Sequence, residues 1–320
     1  MVYLIRSSKG ESPVTKFVRR FREYWQLHLF LLPGVVYLLI FCYYPMLGLQ
    51  IAFKDYQVVN GIWGSPWVGL KHFEKFFGSI YFARVVGNTF KISLYSLLVG
   101  FPLPVLFALM LNVMRNLRLK KFVQTVTYIP HFISTVVMVG MLFQLFSPVV
   151  GIYGNLYRLL TNGVYPEDLF GKSGSFIHMY VWSDVWQSLG WSSIIYVAAL
   201  TGVSGELHEA AMIDGATRWQ RVWAVDLPCI LPTVCIMLIL RCGSILSVGF
   251  EKIYLMQNSV NLKASEVIST YVYKEGLGKG TRGFSYGAAV GLFNSVVNFV
   301  MLVLVNALTR RLSGNTTSLW

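Results

Sequence analysis

The sequence predicts an all-α integral membrane protein with six transmembrane helices, and three observations lead there. Of its 320 residues 55% are hydrophobic and only 13% charged, where soluble domains carry about 25% charged residues. Six apolar runs, at 27–53, 86–111, 123–146, 177–200, 228–250 and 285–308, each reach the roughly 20 residues that a helix needs to cross a hydrocarbon core of about 30 Å. None of them alternates. VVMVGMLFQLF and VVNFVMLVLVNAL are apolar all round, whereas a membrane barrel would show ~10-residue alternating segments.

Taken in chain order, residues 1–26 form a basic segment in which TKFVRRFREYWQ puts Phe17, Phe21 and Tyr24 on one face of an interfacial helix. The run that follows is too long for a signal-peptide core, so the first helix is expected to stay. The loop after the second span, 112–122, is short and basic. The loop after the fourth, 201–227, has a helical pattern of its own, and 309–320 is a short tail. Together with the N-terminal segment these carry 14 Lys and Arg, against 11 in the longer loops 54–85, 147–176 and 251–284. The positive-inside rule therefore puts both termini and the 201–227 loop in the cytoplasm. The three longer loops, rich in Gly, Trp and Tyr, are long enough to cover a mouth or meet a partner. No repeat of one half in the other is visible, which counts against many secondary transporters.

The net charge of +13 flanks the spans, as expected of a membrane protein contacting lipid, and does not point to nucleic acid. Cys42, Cys229, Cys235 and Cys242 form no CxxC pair and read as small apolar fillers. The five His are scattered, so no metal site is expected. FGKSGS at 170–175 lacks the glycine that a phosphate loop needs five residues earlier, where Pro166 stands, and EGLGKGTRG at 275–283 has no preceding strand. The chain has no nucleotide site or cofactor of its own.

The 201–227 loop is the unusual element. ELHEAAMIDGATRWQRVWAVDLPCILPT, residues 206–233, sets four acids and two arginines between apolar spans. Its alanines favour helix and leave a narrow profile, and Gly215 supplies a position without Cβ. Pro228 and Pro232 mark the start of the next span. A helix built to be gripped and one that merely covers the bundle fit equally. Glu209-Ala210-Ala211, then Asp214-Gly215-Ala216, then Leu227-Pro228 resembles the EAA motif of permease subunits of binding-protein-dependent ABC importers. SPWVGLKHFEKFF at 65–77 and NTF at 88–90 resemble sugar-specific members, and LLPGVVYLLIF, IAFKDY and the final SLW resemble the polysaccharide-oligomer subgroup. The resemblance covers nearly the whole chain. It implies a type I importer permease in a bacterial inner membrane, whose 201–227 loop is a coupling helix that docks on a separate ATPase. It further implies two ATPase subunits that hold ATP and Mg, a second and different permease subunit forming a heterodimer, and an extracytoplasmic solute-binding protein.

Ionisable residues inside a span cost about 2.5–3.5 kcal/mol each and mark function. Lys91, Asp184 and Arg241 are the three here. Asn88, Lys91 and Tyr95 form a stripe on the second span, Asp184, Gln187 and Trp191 one on the fourth, and Arg241 with Ser244 a pair on the fifth. These are the expected substrate path. Trp182, Trp186, Trp191 and Tyr196 add aromatic faces suited to sugar rings, and each also fits plain packing. Asp184 and Arg241 lie about 10 and 14 Å from the outer ends of their spans, so an ion pair between them and a cargo-facing Arg241 both stay open. The surplus of cations in the spans and outer loops favours an acidic oligosaccharide of the alginate or pectin type. The alternatives are an ion-coupled secondary sugar carrier, which would carry carboxylates in several spans, and a membrane enzyme, which would cluster His, Asp or Cys at one face.

Overall fold

The computed structural model describes residues 21–313, whose regular structure is helical apart from one isolated antiparallel bridge, Lys54 to Trp67. Phe17, the basic segment up to residue 20 and the tail from residue 314 lie outside the described residues. In chain order the main helices are α1 (Trp25–Phe53), α2 (Lys71–Phe77), α3 (Phe82–Val113), α4 (Leu117–Phe132), α5 (Thr135–Leu145), α6 (Ile152–Leu160), α7 (Ser173–Thr201), α8 (Gly205–Ile213), α9 (Arg218–Cys242), α10 (Phe250–Met256), α11 (Ile268–Val272) and α12 (Phe284–Ser313). α1, α3, α9 and α12 are each long and apolar enough to cross a membrane, and α4 with α5 makes a bent fifth candidate. The sixth is α7. Its 29 residues span about 43 Å, and Ser, His, Asp and Gln side chains keep it less apolar than the rest.

Two expected spans take a different form. The third is not one straight helix over 123–146, because α4 and α5 are bent by 102°. Pro130 cannot donate to the ladder and its ring disfavours helix before it. Ser134 then starts a new helix by accepting from the Val137 amide. The bend is held from α7, where Gln187 donates to the Ile133 carbonyl at 2.9 Å. Gly190, one turn on, passes so close that a Cβ there would stand 2.3 Å from the Thr127 carbonyl oxygen.

The fifth span begins ten residues before Pro228 and ends eight before Phe250. Thr217 and Gln220 form a capping box, with the Thr217 amide donating to Gln220 Oε1 at 2.7 Å. That start is strong enough to carry the helix through Pro228, whose missing N–H is absorbed by a π turn at Val222–Asp226. At the other end residues 243–249 leave helical conformation before α10. A non-helical backbone at that depth needs partners inside the protein. α12 supplies them: Asn298 accepts from the Leu246 amide at 2.8 Å and donates to Ser247 Oγ at 3.0 Å.

Apolar packing falls into three clusters. One joins α3, α7 and α9 near α8, through Val105, Leu109, Tyr196, Leu200 and Ile230. A second joins α3, α5, α7 and α10 around Phe176, Met138 and Ile253, and a third gathers α2, α3, α11 and α12 around Phe76. Between membrane helices such contacts hold by close packing and not by hydrophobic expulsion. α1 stands apart, with no buried residue from Trp25 to Met46, and packs on α12 chiefly through its last turns.

Candidate functional site

The structure sets two sites at different heights: an exposed turn at α8, and a polar cavity halfway along α3 and α7. α8 has no buried residue. Ser204 caps it by accepting from the Glu206 amide. It closes with the Ala216 amide on the Ala211 carbonyl at 2.9 Å and the Gly215 amide on the Met212 carbonyl at 3.1 Å, a Schellman motif. That motif requires a left-handed residue, which Gly215 supplies with φ 79°. Thr217 caps α9 directly afterwards, so helix, turn and helix follow without a slack residue. Glu209, Ala210, Asp214 and Gly215 are exposed, as are Met212 and Ile213, the latter at 85%. Asp214, at the negative end of the α8 dipole, opposes it; its place there does not serve the helix. A rigid apolar and acidic surface therefore faces away from the chain.

Beneath this turn, Asp226 is buried. Its Oδ1 accepts from Asn112 Nδ2 at 3.1 Å and lies 3.3 Å from His208 Nε2. Arg115, Arg218 and Arg221 line the same cavity of about 380 Å³.

The mid-span cavity, about 240 Å³, is lined by Ser93 and Ser96 of α3, Tyr180 and Asp184 of α7, Arg241, and the unwound 244–249 segment. A second cavity of about 780 Å³ shares Asp184 and Arg241 and reaches Ser188 and Trp191. An Asp184–Arg241 ion pair, open on the sequence, is not what forms. Asp184 pairs with Lys252 Nζ at 3.5 Å. Lys252, on α10, is 6% exposed; it also donates to the Tyr180 carbonyl at 3.1 Å and lies 4.9 Å from the Tyr180 ring centre. Among the described residues Arg241 has no ion pair and faces both cavities. Ser244 donates to the Arg241 carbonyl at 3.2 Å.

The other residues of the expected path lie elsewhere, apart from Trp191 in the second cavity. Asn88 is buried and donates to the Lys263 and Glu266 carbonyls, each at 3.0 Å, which ties α3 to the loop before α11. Tyr95 bonds to His178 Nδ1 and accepts from Trp182 Nε1, both at 3.0 Å. Lys91 is exposed. Gln187 holds the α4–α5 bend, and Trp191 stacks on His131 with ring centres 4.4 Å apart. The cavity thus unites Asp184, Arg241 and Ser244 and adds Ser93, Ser96 and Tyr180; these three, and Lys252 paired to Asp184, sequence reasoning missed. Lys252 fell in a loop by hydropathy, and only its place two residues past an apolar run hinted at depth. Among the described residues no cluster of three His, Cys, Asp or Glu could hold a metal.

Comparison with known proteins adds to this geometry. Residues 100–314 match the family described as binding-protein-dependent transport system inner membrane component. Protein LplB of Bacillus subtilis is 40% identical, over 91% of this chain and 90% of that one. The polygalacturonan/rhamnogalacturonan transport system permease protein YteP of the same organism is 41% identical, over 89% and 88%. A chain in the crystal structure of a bacterial ABC transporter involved in the import of the acidic polysaccharide alginate superposes with TM-score 0.84 at 38% identity, covering 93% of this chain and 99% of its own. The same transporter with an alginate pentasaccharide-bound periplasmic protein gives a TM-score of 0.85.

Proposed function

Because the chain belongs to the family of binding-protein-dependent transport system inner membrane components, a permease of a sugar or oligosaccharide ABC importer and not an enzyme, we propose that its mid-span cavity passes an acidic oligosaccharide. The observation that carries this is Arg241. Lys252 already neutralises Asp184, so among the described residues the guanidinium facing both cavities has no ion-pair partner. Arg241 is exposed to these cavities, and a guanidinium pairs with a carboxylate in a bidentate, charge-assisted way that a hydroxyl cannot match. The serines around it offer donors and acceptors for ring hydroxyls. Relatives named for polygalacturonan and for alginate handle cargo of that charge.

The rest of the reading concerns the assembly. α8 and its turn dock on a separate ATPase, which holds ATP and Mg; this chain supplies half of the path and a second, different permease subunit the other half. A solute-binding protein delivers cargo to the long loops, and both termini lie in the cytoplasm. The exposed apolar surface of α1 from Trp25 to Met46 suits contact with lipid or with that second subunit.

Arg241→Gln in the assembled complex tests the cargo reading. Uptake of a uronic-acid oligomer is expected to fall by roughly ten- to a hundredfold, the value of one charge-assisted hydrogen bond, while a neutral oligomer of similar length enters as before. Equal loss of both, or undisturbed uronate uptake, refutes it.

A further inference from the structure

We propose that His208 and Asp226 form the strut through which a displacement of α8 reaches α3 and α9, a positioning pair for ATP-driven transport. The inference rests on the reading that α8 docks on an ATPase. Any push received there has to leave α8 by some path. α8 buries nothing, and its covalent connections are short turns at each end. Among the described residues its one polar side-chain contact with the bundle is His208 Nε2 to Asp226 Oδ1 at 3.3 Å.

Asp226 is well placed to distribute that contact. It closes the π turn of α9, is 3% exposed, and accepts on the same oxygen from Asn112 Nδ2, one residue before the end of α3. One carboxylate oxygen thus joins three helices. A buried carboxylate is costly unless paired, and removing its partner is strongly destabilising, so α9 resists separation from His208. The other charged groups facing it are Arg115 from the α3–α4 loop and Arg218 and Arg221 of α9. Among the described residues none of the three makes an ion pair with Asp226, which leaves His208 as its charged partner whenever the imidazole is protonated. A π turn at this point is a locally reset helix, a feature common at functional positions.

The test uses the complete complex with partner permease, ATPase and binding protein in proteoliposomes, comparing His208→Ala, His208→Gln, Asp226→Asn and the double variant His208→Ala/Asp226→Asn. With the strut, the ATPase stays in the purified complex and hydrolysis continues, but oligosaccharide taken up per ATP falls by roughly tenfold or more in His208→Ala. His208→Gln, which keeps an N–H donor, recovers part of it. The double variant is no worse than the worse single one, as two ends of one contact require. Uptake per ATP at the wild-type level in His208→Ala, additive losses in the double variant, or loss of the ATPase from the complex each overturn the strut. His208 lies on an exposed helix, so His208→Ala decides the matter even where Asp226→Asn fails to assemble. A wild-type complex that neither retains the ATPase nor imports with ATP would overturn the docking reading itself, a result distinct from any of these.

Discussion

Replacing Gly215 by alanine separates two reasons for a glycine in the exposed turn. Its φ of 79° lies where an L side chain costs about 1–2 kcal/mol. No atom of the chain stands within 4 Å of an added Cβ, so no clash adds to that cost. Alanine returns about 0.4–1 kcal/mol by restricting the unfolded chain. The net loss is roughly 1 kcal/mol, about fivefold in the population of the closed turn. Asparagine, which tolerates the left-handed region through local hydrogen bonding, loses less. Hydrogen exchange at the Ala216 amide, bonded to the Ala211 carbonyl at 2.9 Å, reads this directly. It should exchange about fivefold faster in Gly215→Ala and by a smaller factor in Gly215→Asn, with the amides of α9 unchanged. Equal protection in all three proteins would refute the conformational account. Loss of ATP-driven uptake in both variants with protection intact would assign the glycine to the close approach of a partner.

Gln187→Leu strips the Ile133 carbonyl of its donor at the α4–α5 bend. Leaving that group unsatisfied costs about 1–3 kcal/mol, so the purified complex should melt at a lower temperature while still transporting below it; an unchanged melting temperature would show that the bend does not depend on Gln187. In a chain stripped of Cys42, Cys229, Cys235 and Cys242, Thr217→Cys should react in intact cells with membrane-permeant thiol reagents alone. Ser173→Cys should react with impermeant ones, and equal labelling of both positions would overturn the orientation proposed for the termini.

Hydropathy was enough to find α1, α3, α9 and α12, because crossing a bilayer imposes a length that composition cannot hide. It failed where a helix changes course inside an apolar stretch. Pro130 and Ser134 are visible letters, yet the run from 123 to 146 stays apolar through the bend and reads as one element. At α9 the opposite error arises: Pro228 looks like a start, while the Thr217–Gln220 box written ten residues earlier is the stronger signal. The depth argument set Asp184 and Arg241 at similar heights, and they do share a cavity. Their pairing was undecidable without Lys252, which reaches the same level only because residues 243–249 unwind and turn α10 back toward α7. The EAA positions were legible through family resemblance; their geometry shows that Ala211, Gly215 and Ala216 first of all close a helix, which leaves Glu209, Ala210 and Asp214 on the outer surface.

The unwound stretch after Cys242 has a consequence for how this path can diverge. Gly249 gives the cavity only its peptide group, beside Ser244, Ile245, Ser247 and Val248 in the same wall. Substitution changes side chains and leaves amides and carbonyls in place. The peptide groups of that wall therefore stay in place through sequence drift, while side chains at positions such as 241 and 244 change what the cavity presents. That tolerance is bought at a single position: Asn298, whose one side-chain amide holds both Leu246 and Ser247, has no shorter or apolar substitute that would keep the stretch open.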